Sequence, residues 1–285
     1  MEKRMLTSQE ICSEMTNTGV KKGTSSFPQL LILGTLAGIF IALGGFASAV
    51  FSHSIENPGI AKFASGIIFP VGLMFVIICG GELFTGNTLI VTAMYEGKIS
   101  FGQVLRNWII VYFSNFIGAF IIAFLVINSG SLGFNAGKLG GYAIKVAAAK
   151  GGLSFISAFS SGILCNILVC LAVWGSYAAK DIAGKVLIIW FPVMAFVVSG
   201  FEHSVANMYY FSIGILAKSN PAFIDASHVG EKISNVNWSH AIGNLIPVTL
   251  GNIIGGAVFV GTAYWLIYRY FPSVKASKVS ENIKG

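Results

Sequence analysis

Six long apolar runs alternate with short polar segments along the chain, near Pro28 to Phe51, Ile60 to Tyr95, Trp108 to Ile127, Leu153 to Ala179, Val186 to Ala217 and Ala241 to Tyr268. A helix crosses a bilayer core of about 30 Å with about 20 apolar residues, so the pattern predicts six membrane-crossing helices. The second and fifth runs are too long for a single crossing. At about 1.5 Å per residue they would make helices of roughly 54 and 48 Å. Each is interrupted by a polar, glycine-bearing stretch: Gly80-Gly81-Glu82-Leu83-Phe84-Thr85-Gly86-Asn87 in the second and Ser199-Gly200-Phe201-Glu202-His203-Ser204-Val205-Ala206-Asn207 in the fifth. The spacing predicts two broken helices.

The interruptions share the pattern Gly-x-Glu-x-x-x-x-Asn, at Gly80 to Asn87 and at Gly200 to Asn207. A second correspondence links the third and sixth runs, where Asn107 precedes Asn115 and Asn244 precedes Asn252 by the same eight residues. Runs one to three and four to six therefore read as two copies of one unit. Three crossings is an odd number, so the copies lie in the membrane with opposite orientation. Broken helices at equivalent places in inverted repeats point to a pathway near the midplane, because unwound backbone is tolerated there only if it lines a cavity or is buried in protein.

Composition agrees with this class. Hydrophobic residues make up 55% of the 285 positions and charged residues 10%, against roughly a quarter charged in soluble domains, and the mean hydropathy is +0.77. A soluble enzyme, a nucleic-acid-binding protein and a disulfide-stapled secreted module are excluded together. The net charge of +7 sorts by topology: Lys and Arg on alternate sides number twelve against six, which predicts both termini in the cytoplasm of a bacterial-type inner membrane. Cys79, Cys165 and Cys170 lie in apolar runs and Cys12 in a polar one, while His53, His203, His228 and His240 have no ligand spacing; no metal or cofactor is predicted. Residues 1–27 form an N-terminal segment in which Thr7 and Glu10 make a capping-box pattern before a short amphipathic helix carrying Ile11, Met15 and Val20. Residues 28–270 make the channel domain and 271–285 a C-terminal tail.

Titratable groups inside a span are costly and usually functional. Glu82 and Glu202 read as structural groups at the breaks, accepting backbone N–H bonds or pairing with a lysine, together with Asn87 and Asn207. His203 reads as a pathway residue able to give or take a proton, with the Thr85 hydroxyl facing it from the other break. Asn166 and Asn252 either line the path or bond neighbouring helices. The glycines around Gly34 to Gly38, Gly118 and Gly251 to Gly256 read as packing faces.

The segments Gly80 to Gly86, Gly162-Ile163-Leu164-Cys165-Asn166-Ile167-Leu168-Val169-Cys170-Leu171-Ala172 and Gly200 to Met208 together resemble the hallmark motifs of the formate/nitrite transporter family. The resemblance runs from about Met15 to Tyr270 and, within the family, leans to the hydrosulfide channel branch. It implies a homopentamer of aquaporin-like six-helix protomers, each with its own pore for formate, nitrite or hydrosulfide. By the same resemblance, Phe69, Leu83 and Phe196 form an outer constriction, and Leu73, Phe84 and Val169 an inner one. His203 and Thr85 lie between them with Asn166 and Asn252, and Lys150 adds positive charge from the loop after the third span. A bare anion in an apolar slit loses hydration at a cost of many kcal/mol, which a nearby cation or a proton from His203 reduces. Two other readings compete: a neutral-solute aquaporin-like pore, for which the one Asn-Pro-Ala triplet is Asn220-Pro221-Ala222, and a membrane-embedded enzyme using His203 and Glu202.

Overall fold

A computed structural model describes residues 5–273; residues 1–4 and most of the C-terminal tail, 274–285, lie outside the described residues. Its regular secondary structure is helical. An N-terminal helix α1 (Ser8–Gly23) is closed by the Thr7–Glu10 capping box, and six crossings follow. The first is α2 (Phe27–Ser52). The second consists of α3 (Pro58–Gly80) and the half-helix α4 (84–95), and the third is α5 (Phe101–Asn128). A further helix α6 (Lys138–Gly151) leads to α7 (Phe155–Ala178). The fifth crossing consists of α8 (Ile182–Ser199) and α9 (Ser204–Ala217). The short α10 (Pro221–Ser227) then precedes the last span, α11 (Trp238–Ser273).

Helix starts differ from the hydropathy edges where polar caps extend them. α3 begins two residues early because Asn57 Oδ1 accepts from the Ile60 N–H at 3.1 Å and Pro58 fills the first turn. α5 begins seven residues early, where Ser100 and Gln103 close a capping box. Hydropathy understates such turns because small and polar residues, Pro58-Gly59 in one and Gln103, Arg106 and Asn107 in the other, dilute them. It also missed α6, so Lys150 lies in the last turn of a helix and not in a loop.

The repeat is visible in the packing. α2 lies along α5, and α7 along α11. A side chain at Gly118 would run into the Thr35 carbonyl of α2, and one at the equivalent Gly255 into the Ile163 carbonyl of α7. Backbones approach this closely only through glycine. The unit is larger than three crossings, because α1 precedes the first copy as α6 precedes the second. α1 buries Ile11, Cys12 and Met15 against Trp174 and Val260.

Candidate permeation site at the two helix breaks

Each break starts at a glycine in the left-handed region, Gly80 (φ +93°) and Gly200 (φ +74°), a conformation that a Cβ opposes. The next three residues, 81–83 and 201–203, lie outside any helix, and the last of each, Leu83 and His203, is extended before the next half-helix begins. Unwinding leaves backbone groups without helical partners, and in a membrane these must be satisfied inside the protein. One asparagine does so at each break. Asn115 Oδ1 accepts from the Phe84 N–H at 2.9 Å, while its Nδ2 donates to the carbonyls of Gly34 and Glu82 at 2.7 and 2.8 Å. Asn252 Oδ1 accepts from the Ser204 N–H at 2.9 Å, and its Nδ2 donates to the carbonyls of Gly162 and Glu202 at 2.8 and 3.0 Å.

The carboxylates are held by a second set. At the first break Lys22 Nζ donates to Glu82 Oε1 and to Asn87 Oδ1, both at 2.9 Å, Asn87 Nδ2 donates to Glu82 Oε2 at 2.6 Å and to Asn107 Oδ1 at 2.9 Å, and Asn107 Nδ2 donates to the Lys22 carbonyl at 3.0 Å. At the second, Lys150 Nζ donates to Glu202 Oε1 at 2.7 Å, Asn207 Nδ2 donates to Glu202 Oε2 at 2.5 Å and to Asn244 Oδ1 at 2.8 Å, and Asn244 Nδ2 donates to the Lys150 carbonyl at 3.0 Å. Lys150 is thus ion-paired with Glu202.

Lys22, Asn107, Asn115 and Asn244 are the members of these clusters that reading the breaks alone leaves out. A signal for the first existed: twelve residues separate Lys22 from Gly34, and Lys150 from Gly162.

The hydrogen bonds fix the register between copies, with Phe84 matched to Ser204 and hence Leu83 to His203. The scaffold is duplicated and the chemistry is not. Leu83 offers α4 no side-chain cap, whereas His203 Nδ1 accepts from the Ala206 N–H at 3.1 Å and caps α9. The other ring nitrogen, Nε2, lies 2.9 Å from Thr85 Oγ1, so the two breaks meet. Asn166 bridges the same region, its Nδ2 donating to the carbonyls of Thr85 and Asn252 at 3.1 and 2.6 Å. Ser204 Oγ is buried without a hydrogen-bond partner beside His203.

Two cavities flank this centre. One, of about 570 Å³, is lined by Lys62, Phe69, Lys150, Phe196, Glu202 and His203 among others. The other, of about 510 Å³ and nearer the N-terminal helix, is lined by Lys22, Leu73 and Glu82, and also by Leu83. Leu83 therefore faces the cavity of Leu73, apart from Phe69 and Phe196, which meet edge-on with ring centroids 5.7 Å apart. Phe84 and Val169 line neither cavity, and Phe84 packs edge-on against Tyr112 at 4.9 Å. All six side chains belong to one buried apolar cluster.

Comparison with known proteins places this geometry. Residues 9–266 match the family described as Formate/nitrite transporter. The formate channel FocA of Escherichia coli (strain K12) is 40% identical over 256 residues, covering 88% of this chain and 90% of that protein. The formate channel BtFdhC of Bacillus thuringiensis is 40% identical, covering 92% and 95%. Among solved structures, one titled "Pentameric formate channel with formate bound" superposes with a TM-score of 0.76 at 38% identity, covering 85% of this chain and 97% of that one. An "FNT family ion channel" gives 0.78 at 29% identity, covering 90% and 98%.

Proposed function

The chain belongs to the formate/nitrite transporter family, whose members compared above are channels and not enzymes, and from that premise we propose that it passes small monovalent anions of weak acids, formate first, past His203. Formate leads because both relatives and the pentameric neighbour are named for it. Nitrite and hydrosulfide, also small monovalent anions of weak acids, are the further candidates. The same neighbour supports a homopentamer with one path per protomer, and the excess of basic residues on one side supports an inner-membrane protein with both termini cytoplasmic.

The observation that carries the reading is the His203–Thr85 contact, set between two cavities that each hold a lysine–glutamate pair. Lysines at both mouths raise the local anion concentration. In the apolar stretch between them an anion needs hydrogen-bond donors to replace its water. Because Nδ1 accepts from Ala206, the ring proton of the bonded state sits on Nε2 and is donated to Thr85 Oγ1. The Thr85 hydroxyl hydrogen then has no acceptor among the described residues and is available to an anion. Full protonation of the ring would set an Nδ1–H against the Ala206 N–H and give up the cap, so proton transfer and a local change at the start of α9 go together.

Proteoliposome flux of formate, nitrite and hydrosulfide tests the proposal. Wild-type protein should conduct formate, and His203→Phe should lose most of that flux together with its pH dependence; unchanged flux and pH dependence in His203→Phe would sink it. The aquaporin-like alternative loses its motif, since Asn220 merely caps α10, its Oδ1 accepting from the Ala222 N–H at 3.0 Å on the protein surface.

A further inference from the structure

The two breaks share their hydrogen-bonded scaffold, but the space over their first glycines differs. A side chain at Gly80 would meet nothing within 4 Å, whereas at Gly200 it would come within 2.8 Å of Lys62 Nζ. Lys62 stands one turn into α3, after the Asn57 cap, and lines the cavity that contains His203. It makes no hydrogen bond and no ion pair among the described residues. The neighbouring carboxylate is already taken: Glu202 Oε1 accepts from Lys150 and Oε2 from Asn207. Lys62 and Lys150 line that cavity with Glu202, and Lys145 and Glu56 line it as well, so three ammonium groups face two carboxylates there. The opposite mouth pairs Lys22 with Glu82 one to one. Lys21 and Lys185 line that cavity too, but neither lies against its break glycine.

Like charges in excess of their counterions repel, and a small anion relieves that repulsion by binding between Lys62 and Lys150. We infer that Lys62, with Lys150, forms an anion-binding station at Gly200 on the face away from the N-terminal helix, directly outside Phe69 and Phe196, and that the opposite face, with no lysine against Gly80, lacks a station at the equivalent place. The station takes a small monovalent carboxylate or its like. It rests on the proposed function, because it serves the same path. The competing structural role is a cation at the C-terminal end of α8, where the helix carbonyls end.

The test compares wild type, Lys62→Met and Lys62→Arg for formate flux measured from each face, in right-side-out cells and inverted vesicles, with thermal melts of the purified pentamers. Lys62→Met should raise the half-saturating formate concentration about fivefold from the Lys62 face and less than twofold from the other, with Lys62→Arg close to wild type. In a Cys79→Ser background, Lys62→Cys should recover its affinity after reaction with aminoethyl methanethiosulfonate, which restores a positive charge, and not with the neutral methyl reagent. Unchanged half-saturation in Lys62→Met, an equal rise from both faces, or equal rescue by the neutral reagent would overturn the station. So would a loss confined to melting temperature, which identifies a helix-capping role. A wild-type protein that conducts none of the three anions overturns the proposed function itself, which a conducting wild type with an unaffected Lys62→Met does not.

Discussion

His203 and Thr85, 118 residues apart in the chain, place Nε2 and Oγ1 2.9 Å from each other, and the same imidazole caps α9 through Nδ1. One ring therefore does a structural and a chemical task with different atoms, and substitution can separate them. Asparagine is a good N-cap but is too short to reach Thr85. His203→Asn should keep the melting temperature near wild type while reducing formate flux at least tenfold. His203→Phe should lose flux and also about 1 kcal/mol of stability with the cap. Wild-type flux in a well-folded His203→Asn protein would show that Nε2 is not used.

Removing one partner of the Lys22–Glu82 pair leaves a buried charge without compensation, at a cost of about 3 kcal/mol. Lys22→Met should therefore destabilise the protein, and Lys22→Met/Glu82→Gln should recover more than half of the loss. The same variant frees the end of α1. Cys12, on that helix, is buried, and burial pushes its thiol up to about 11, so it is both hidden and protonated at neutral pH. In a Cys79→Ser background its labelling by a maleimide should quicken several-fold in Lys22→Met and return towards wild type in the double variant.

Gly118→Ala places a methyl group against the Thr35 carbonyl, where α2 and α5 touch. Overpacking of this kind costs about 1–3 kcal/mol. Gly243→Ala, also within a spanning helix but with nothing inside 4 Å of its Cβ, should leave the melt unchanged or raise it slightly, since alanine is the better helix former. Equal effects of the two would contradict the close backbone contact.

On the loop after α4, Glu96 is bonded by Arg269 at 2.9 Å and by the Trp265 indole at 2.9 Å. The guanidinium holds its carboxyl below the usual carboxylate range. A lowered folded-state value means stabilisation that is present above the unfolded value and lost as pH falls through the folded one. The pair is solvated, so it contributes less than about 1 kcal/mol. Melts of wild type and Glu96→Gln should differ slightly at pH 7 and converge in acid. A difference that widened as pH fell would reverse the assigned sign.

Much of this architecture was legible in the residues, because lipid leaves few solutions. Apolar runs of membrane length must be helices, and the two over-long runs had to break where Gly80 and Gly200 allow a left-handed turn. The shared spacing of Gly80 to Asn87 with Gly200 to Asn207, and of Asn107 to Asn115 with Asn244 to Asn252, exposed the repeat. α6 and the true start of α5 were hidden, since amphipathic and capped turns dilute a hydropathy signal. So was Lys22: only its twelve-residue spacing to Gly34, the same as that of Lys150 to Gly162, marks which of several lysines reaches a carboxylate sixty residues away.

By itself the sequence determined the membrane class, the six crossings, the two breaks and the identity of the polar groups at them, since each follows from local composition and from the cost of unpaired backbone in hydrocarbon. Only the tertiary structure decided which groups meet. It gave Lys22 to Glu82 and Lys150 to Glu202, turned His203 towards Thr85 where its twin position holds Leu83, and left Lys62 without a carboxylate. The two ion pairs close over 60 and 52 residues within one half, and the His203–Thr85 contact over 118 between halves; a one-dimensional pattern carries no record of such packing.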